Sequence, residues 1–127
     1  MQCISTTPIL RSFDEAKAKE FYVEFLGFTL DWEHRFDDGL PLYFQVSRDS
    51  CELHISEHYG DCSPGAAIRI QLEGVEEYHQ ALTEKQYKFA RPRVQMMPWG
   101  TKEMSLHDPF GNRIIFVECV THKKSSV

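Results

Sequence analysis

The sequence predicts an α+β fold built from two β-α-β-β-β units, and three observations carry that prediction. Amphipathic helical stretches stand between segments of strand-like alternation. The order of elements starts again after about 60 residues, long enough for a whole supersecondary unit. Gly, Pro, Asn and Asp fall between the segments, where the chain has to turn.

The first unit opens with the short stretch Cys3 to Leu10. Ser12 stands three residues ahead of Glu15 in the spacing of a capping box. Ala18, Phe21, Tyr22, Phe25 and Leu26 then form one apolar stripe. Gly27 occupies the place where helices commonly end in a left-handed residue, so a helix is predicted over Asp14 to Leu26. Strands follow at Phe28 to Arg35, Leu42 to Arg48 and Cys51 to Ser56, separated by the turn-forming Asp37-Asp38-Gly39 and Asp49-Ser50. The polar, Gly- and Pro-containing stretch Glu57 to Gly65 is the link. In the second unit a strand over Ala66 to Glu73 precedes a helix over Val75 to Tyr87, with Val75, Tyr78 and Leu82 on one face. Further strands come after it, and the last hairpin is turned by Asp108-Pro109-Phe110-Gly111-Asn112. Residues 1–127 thus read as a single domain, with module one at about 3–56, the linker at about 57–65 and module two at about 66–119.

Composition narrows the function classes. Of 127 residues, 14 are Lys or Arg and 19 are Asp or Glu, a net charge of −5. With no basic stripe, the electrostatic term on which most nucleic-acid binding depends is missing, and a cationic or neutral small partner fits better. No apolar run approaches the roughly 20 residues needed to span a bilayer, and Met1-Gln2-Cys3-Ile4 lacks the order of a signal peptide, so the expected location is the cytoplasm and no membrane partner is expected. Cys3, Cys51, Cys62 and Cys119 form no C-x-x-C pair and read as free thiols.

Successive side chains of a strand face opposite ways. Phe44, Val46, Leu53, Ile55, Ile68, Ile70, Leu72, Ile114 and Phe116 make an apolar set suited to lie under helices. The opposite set is Tyr43, Gln45, Glu52, His54, Ser56, Arg69, Gln71 and Arg113, with Ala67 and Ile115. A solvated outer face would carry such residues too, but recurring aromatics and His favour a concave surface that holds a ligand.

The run Thr7-Pro8-Ile9-Leu10-Arg11-Ser12-Phe13-Asp14, followed by Phe21-Tyr22 and Leu26-Gly27-Phe28, resembles the opening module of the glyoxalase/bleomycin-resistance/extradiol-dioxygenase superfamily. Its second-module signature is matched by Pro98-Trp99-Gly100 and Asp108-Pro109-Phe110-Gly111-Asn112, so the resemblance spans about Ser5 to Glu118. It implies two βαβββ modules forming a half-open cup-shaped sheet with helices on the outer face. It also implies a homodimer in which modules of two chains enclose each ligand. Enzymes of this superfamily hold a divalent metal with His, Glu or Gln, and the resemblance puts those positions at Thr7, at Ala67 or with a one-residue shift Ile68, at Ile115 and at His54. One imidazole does not make a metal site, because Ala and Ile donate nothing and three or four ligands are needed. The match is therefore to the bleomycin-resistance branch, whose members sequester an antibiotic without metal or chemistry, and the reading leans away from an enzyme with no cofactor expected.

His54-Ile55-Ser56-Glu57-His58 spells H-x-x-E-H, which needs a helix to bring both imidazoles together. Here it reads as a strand running into a loop, where residues four apart lie roughly 13 Å apart. Trp32 and Trp99 are the two tryptophans, flat surfaces suited to stack a planar ligand. Trp99, between Pro98 and Gly100, sits in a loop rather than on an apolar stripe. The candidate ligand-binding residues are Trp32, Tyr43, Gln45, His54, Arg69 and Trp99, with no catalytic and no metal residue assigned. Arg69 would repel a cationic antibiotic unless Glu52 or Glu103 pairs with it, and unpaired it would favour an anionic metabolite. Two enzyme alternatives remain at this point: a metal-dependent lyase or dioxygenase recruiting His54, Glu52, His107 and Glu103, and a cofactorless isomerase or hydrolase using His54 with Glu52 or Glu103.

Overall fold

Short strands and short helices alternate through residues 1–88 and 90–120, which this computed structural model describes. In the first unit β1 (Ile9–Arg11) leads through Ser12 to α1 (Glu15–Lys19), which continues as a π-helical turn over Glu20–Phe25. β2 (Thr29–His34), β3 (Tyr43–Arg48) and β4 (Cys51–Ser56) follow. In the second, β5 (Ala67–Gln71) precedes α2 (Val75–Glu84), β6 (Val94–Met96), β7 (Thr101–His107) and β8 (Arg113–Cys119). The expected β-α-β-β-β order is present in both. The described residues divide into two compact units, Met1–Ala66 with the turn Pro109–Asn112, and a second that starts at Ala67 and takes in the last strand from Arg113 to Val120.

Each unit holds one four-stranded mixed sheet, ordered β1-β4-β3-β2 in the first and β5-β8-β7-β6 in the second. The strand before the helix lies parallel to the last strand in each unit, and the other pairs are antiparallel. This is what a strand-helix crossover followed by hairpins produces.

The predicted capping box at Ser12 is not formed. Ser12 is buried and its backbone N–H donates to Ser56 O at 2.9 Å, which extends β1 alongside β4 instead of starting a helix. Asp14 is the N-cap, extended at φ −154°, and its side chain accepts from the Lys17 N–H at 2.9 Å. The predicted end holds: Gly27 has φ +82°, and Phe28 N–H donates to Tyr22 O at 3.0 Å. Between these ends the ladder widens, with Leu26 N–H donating to Phe21 O at 2.9 Å, five residues back. The widened turn keeps Ala18, Phe21, Tyr22, Phe25 and Leu26 all buried. They share the core with Phe44, Val46, Leu53 and Ile55, the predicted apolar set of this unit.

The second helix ends earlier than predicted, at Glu84, because Gln86 takes positive φ (+53°) and breaks the helical path. Its start has no side-chain cap of its own, since Gly74 stands there at φ +84°. The carboxylate of Glu118 on β8 accepts from the N–H groups of Gly74 and Val75, both at 3.1 Å. A negative group thus sits at the positive end of the helix. Val75 and Leu82 are buried, and Tyr78 meets Phe116 edge-to-face at 5.1 Å. All four cysteines are free. No helix among the described residues is long and apolar enough to cross a membrane.

Candidate functional site

Helices occupy the apolar face of each sheet, which leaves the polar face of each for other work. On the first sheet the register sets Gln45 opposite His54 across β3 and β4, and Trp32 opposite Gln45 across β2 and β3. The β2–β3 ladder shifts between Leu30 and Trp32, a β-bulge whose extra residue is Asp31. A bulge lets neighbouring residues reach the same face, which strict alternation forbids. Asp31 therefore reaches across to Gln45 Nε2 and Ser47 Oγ, both donating to its carboxylate at 3.0 Å, while Trp32 joins the same surface.

The hydrogen bonds of this face have one consistent direction. A carboxylate only accepts, so the Gln45 amide turns its NH2 to Asp31 and its Oε1 to His54. His54 Nε2 lies 2.9 Å from that oxygen and must carry the proton. In the neutral imidazole Nδ1 then holds a lone pair, which accepts from the Tyr43 hydroxyl at 2.6 Å. The chain runs Tyr43 to His54 to Gln45 to Asp31. Burial pushes the Tyr43 phenol pKa up, with the negative charge of Asp61 adding to it, so the hydroxyl stays protonated and able to donate. Its oxygen retains acceptor capacity for a further partner.

Three rings stand round this chain. Trp32 lies nearly parallel to Tyr43, with centroids 6.0 Å apart and planes at 10°, and meets His54 at 5.3 Å and 74°. Tyr43 and His54 are themselves edge-to-face at 5.2 Å. Trp32 is 43% exposed, so one side of the indole is committed to Tyr43 and the rest is open to a planar ligand.

The second sheet carries a different arrangement. Arg69 on β5 reaches Glu103 on β7 through two nitrogens, at 3.3 and 3.0 Å. The Thr101 hydroxyl and the Trp99 indole N–H also donate to Glu103, at 2.8 and 3.1 Å. The Arg69 guanidinium, then desolvation opposing it, then these two donors act on the carboxyl, and the balance brings the Glu103 pKa down to about 2. Trp99 sits in the tight turn joining β6 and β7, where Gly100 N–H donates to Met97 O at 3.0 Å and Gly100 takes φ +92°. Pro98 presets the turn, and the indole, tethered at its nitrogen, keeps 65% of its surface exposed.

Of the six predicted residues, Trp32, Tyr43, Gln45 and His54 form one cluster on the first unit, and Arg69 and Trp99 form another on the second, bridged by Glu103. Glu103, weighed in the sequence as a partner for Arg69, is that partner; Glu52 is not. The linker contributes through Asp61, whose carboxylate accepts from the buried Ser56 hydroxyl at 2.6 Å. Sequence reasoning does not single out Asp31 or Ser47: Ser47 shares the polar face of β3 with Tyr43 and Gln45 by simple alternation, and its partner Asp31 is the extra residue of the bulge in β2.

Three of the positions that the resemblance assigns to metal ligands do not suit a divalent ion. Ile115 is apolar and buried, Ala67 has no donor, and both nitrogens of His54 are engaged by Tyr43 and Gln45. Among the described residues no group of three His, Cys, Asp or Glu is placed to hold a metal ion.

A family model described as a glyoxalase superfamily protein matches residues 2–123. Among solved structures, a member of the glyoxalase/bleomycin resistance protein/dioxygenase superfamily from Sphaerobacter thermophilus DSM 20745 is 25% identical, with a TM-score of 0.70 over 92% of this chain and 98% of that one. An antibiotic binding protein from Streptomyces sp. CB03234 is 24% identical, with a TM-score of 0.72 over 94% and 99%. The bleomycin-binding protein of Streptomyces verticillus, complexed with copper(II)-bleomycin, is 23% identical, with a TM-score of 0.69 over 91% and 96%. The curated proteins contain no match.

Proposed function

The chain belongs to the glyoxalase superfamily, and from that premise we propose that it is a binding protein of the bleomycin-resistance type, sequestering an antibiotic or similar aromatic molecule without metal and without chemistry. The observation that carries this reading is the hydrogen-bonded chain from Tyr43 through His54 and Gln45 to Asp31, roofed by Trp32. It occupies the one family ligand position that retains an imidazole, and it uses both ring nitrogens. A group committed in this way orients a wall for a ligand; it has no lone pair left for a metal or for a substrate proton.

Affinity in this reading comes from stacking on Trp32 and Trp99, and from hydrogen bonds to the Tyr43 oxygen. The protein acts as a homodimer whose two chains complete each cup, and exposed apolar side chains such as Phe36 (74% exposed) and Met96 (60%) support a partner surface. Four free thiols suit a reducing compartment, and we place the protein in the cytoplasm.

The test is a calorimetric titration of metal-analysed protein with metal-free bleomycin, copper-loaded bleomycin and other planar aromatic antibiotics, beside light scattering for the oligomeric state. Saturable binding at one ligand per cup, with no stoichiometric metal in the protein, is the expected result. A bound divalent ion, or a flat titration with every aromatic ligand, overturns the reading.

A further inference from the structure

On the polar face of the second sheet lies a cavity of about 210 Å³, lined by Arg91, Arg93 and Arg113 with Gln95, Met97, Ser105 and Glu103. Among the described residues Glu103 is the only acid in this wall, and its charge is already matched by Arg69. Among the described residues no hydrogen bond or ion pair engages the guanidinium of Arg91 or Arg93. Arg113 donates from Nε to Ser105 Oγ at 3.0 Å, which turns the fork of its guanidinium without neutralising it and leaves the serine proton free to donate. Three uncompensated positive charges thus share one small concavity, in a chain whose net charge is −5.

Whole-ligand sites usually measure about 300–1,000 Å³, so a cavity of this size takes one substituent of a larger molecule. Guanidinium groups match planar or tetrahedral oxyanions by paired N–H bonds, and Gln95 and Ser105 add neutral donors. We infer that this cavity receives the anionic end of the ligand, a carboxylate, phosphate or sulfate, while the aromatic part of the same molecule stacks on Trp99, tethered to Glu103 in the cavity wall. The inference rests on reading the polar face as the ligand surface. It moves the anion preference from Arg69, which is spent on Glu103, to Arg91, Arg93 and Arg113.

Naphthoate and its neutral counterpart naphthamide, titrated into the full chain by heteronuclear NMR, separate the possibilities. Naphthoate should bind at least tenfold tighter and shift Gln95, Ser105 and the Arg113 side chain, and Arg91→Gln with Arg93→Gln should erase the difference between the two compounds. Equal affinities in the unsubstituted protein, or a carboxylate preference that survives the double substitution, overturn the inference while aromatic binding stands. If neither naphthyl compound binds but inorganic phosphate shifts Gln95, Ser105 and Arg113, the anion cavity stands and the aromatic reading falls. If phosphate moves none of these resonances either, both fall.

Discussion

The two sheets have the same strand order and opposite chemistry on their polar faces. Their registers make the comparison residue by residue: Gln45 faces His54 in the first sheet as Ser105 faces Ile115 in the second, and Ile9 pairs beside His54 as Arg69 pairs beside Ile115. Tyr43 and Glu103 are then equivalent, a phenol in one sheet and a carboxylate in the other. In the first, neutral donors and acceptors pass a proton order down a chain that ends on Asp31. In the second, a carboxylate gathers a guanidinium, a hydroxyl and an indole around itself. The scaffold common to both units therefore fixes where side chains point, and the residues at these four equivalent positions decide whether direction or charge organises the face.

The largest expected effect tests whether the first face is the aromatic one. Trp32→Ala should weaken a neutral planar ligand by about tenfold or more, since stacked aromatics at a binding site carry an outsized share of affinity. Its thermal midpoint should hardly move, because the ring is 43% exposed. A neutral ligand that binds the Trp32→Ala protein as before would break the comparison at its first term.

On the second face, Glu103→Ala removes the acceptor of three donors, one of them the buried Thr101 hydroxyl. A loss of about 2 kcal/mol is expected in urea unfolding, with Trp99 fluorescence altered because its tether is gone. The pH dependence follows in sign. The folded-state pKa of about 2 lies below the ordinary carboxylate value, so this group stabilises the fold above about pH 4 and loses that contribution as pH falls through about 2. Trp99 fluorescence should titrate with a midpoint near pH 2, a transition absent in Glu103→Gln.

Tyr43→Phe is the milder counterpart on the first face. It strips Nδ1 of His54 of its donor, for an expected cost of about 1 kcal/mol, read in urea unfolding. The smallest effect is that of salt. Between about 50 and about 500 mM sodium chloride, binding of a neutral aromatic ligand should change less than twofold, whereas an anionic ligand should weaken severalfold as the arginine charges are screened. Equal salt dependence of the two ligand types would show that the faces do not divide the work.

Much of this organisation is legible in the chain, and the parts that are not share a cause. The stripe Ala18, Phe21, Tyr22, Phe25 and Leu26 is a local pattern, and all five residues are buried as expected. Strand alternation likewise sorts Phe44 and Val46 from Tyr43 and Gln45. Gly27 marks the helix end because its backbone conformation is a property of one residue. The capping box at Ser12 failed for the opposite reason: a favourable local spacing lost to a strand bond with Ser56, far along the chain.

Sequence by itself determined the repeated β-α-β-β-β order, the two faces of each strand and the aromatic and imidazole side chains that share the polar face of the first sheet, because these depend on periodicities of a few residues. Tertiary structure alone decided which partner each polar group found. Glu118 caps α2 from 43 residues beyond Val75, Arg69 finds Glu103 across 34 residues, and Asp31 reaches Gln45 only because a bulge adds a residue to β2. Buried and half-buried polar groups must be satisfied by whatever the folded chain brings near them, and that pairing is written in no local pattern.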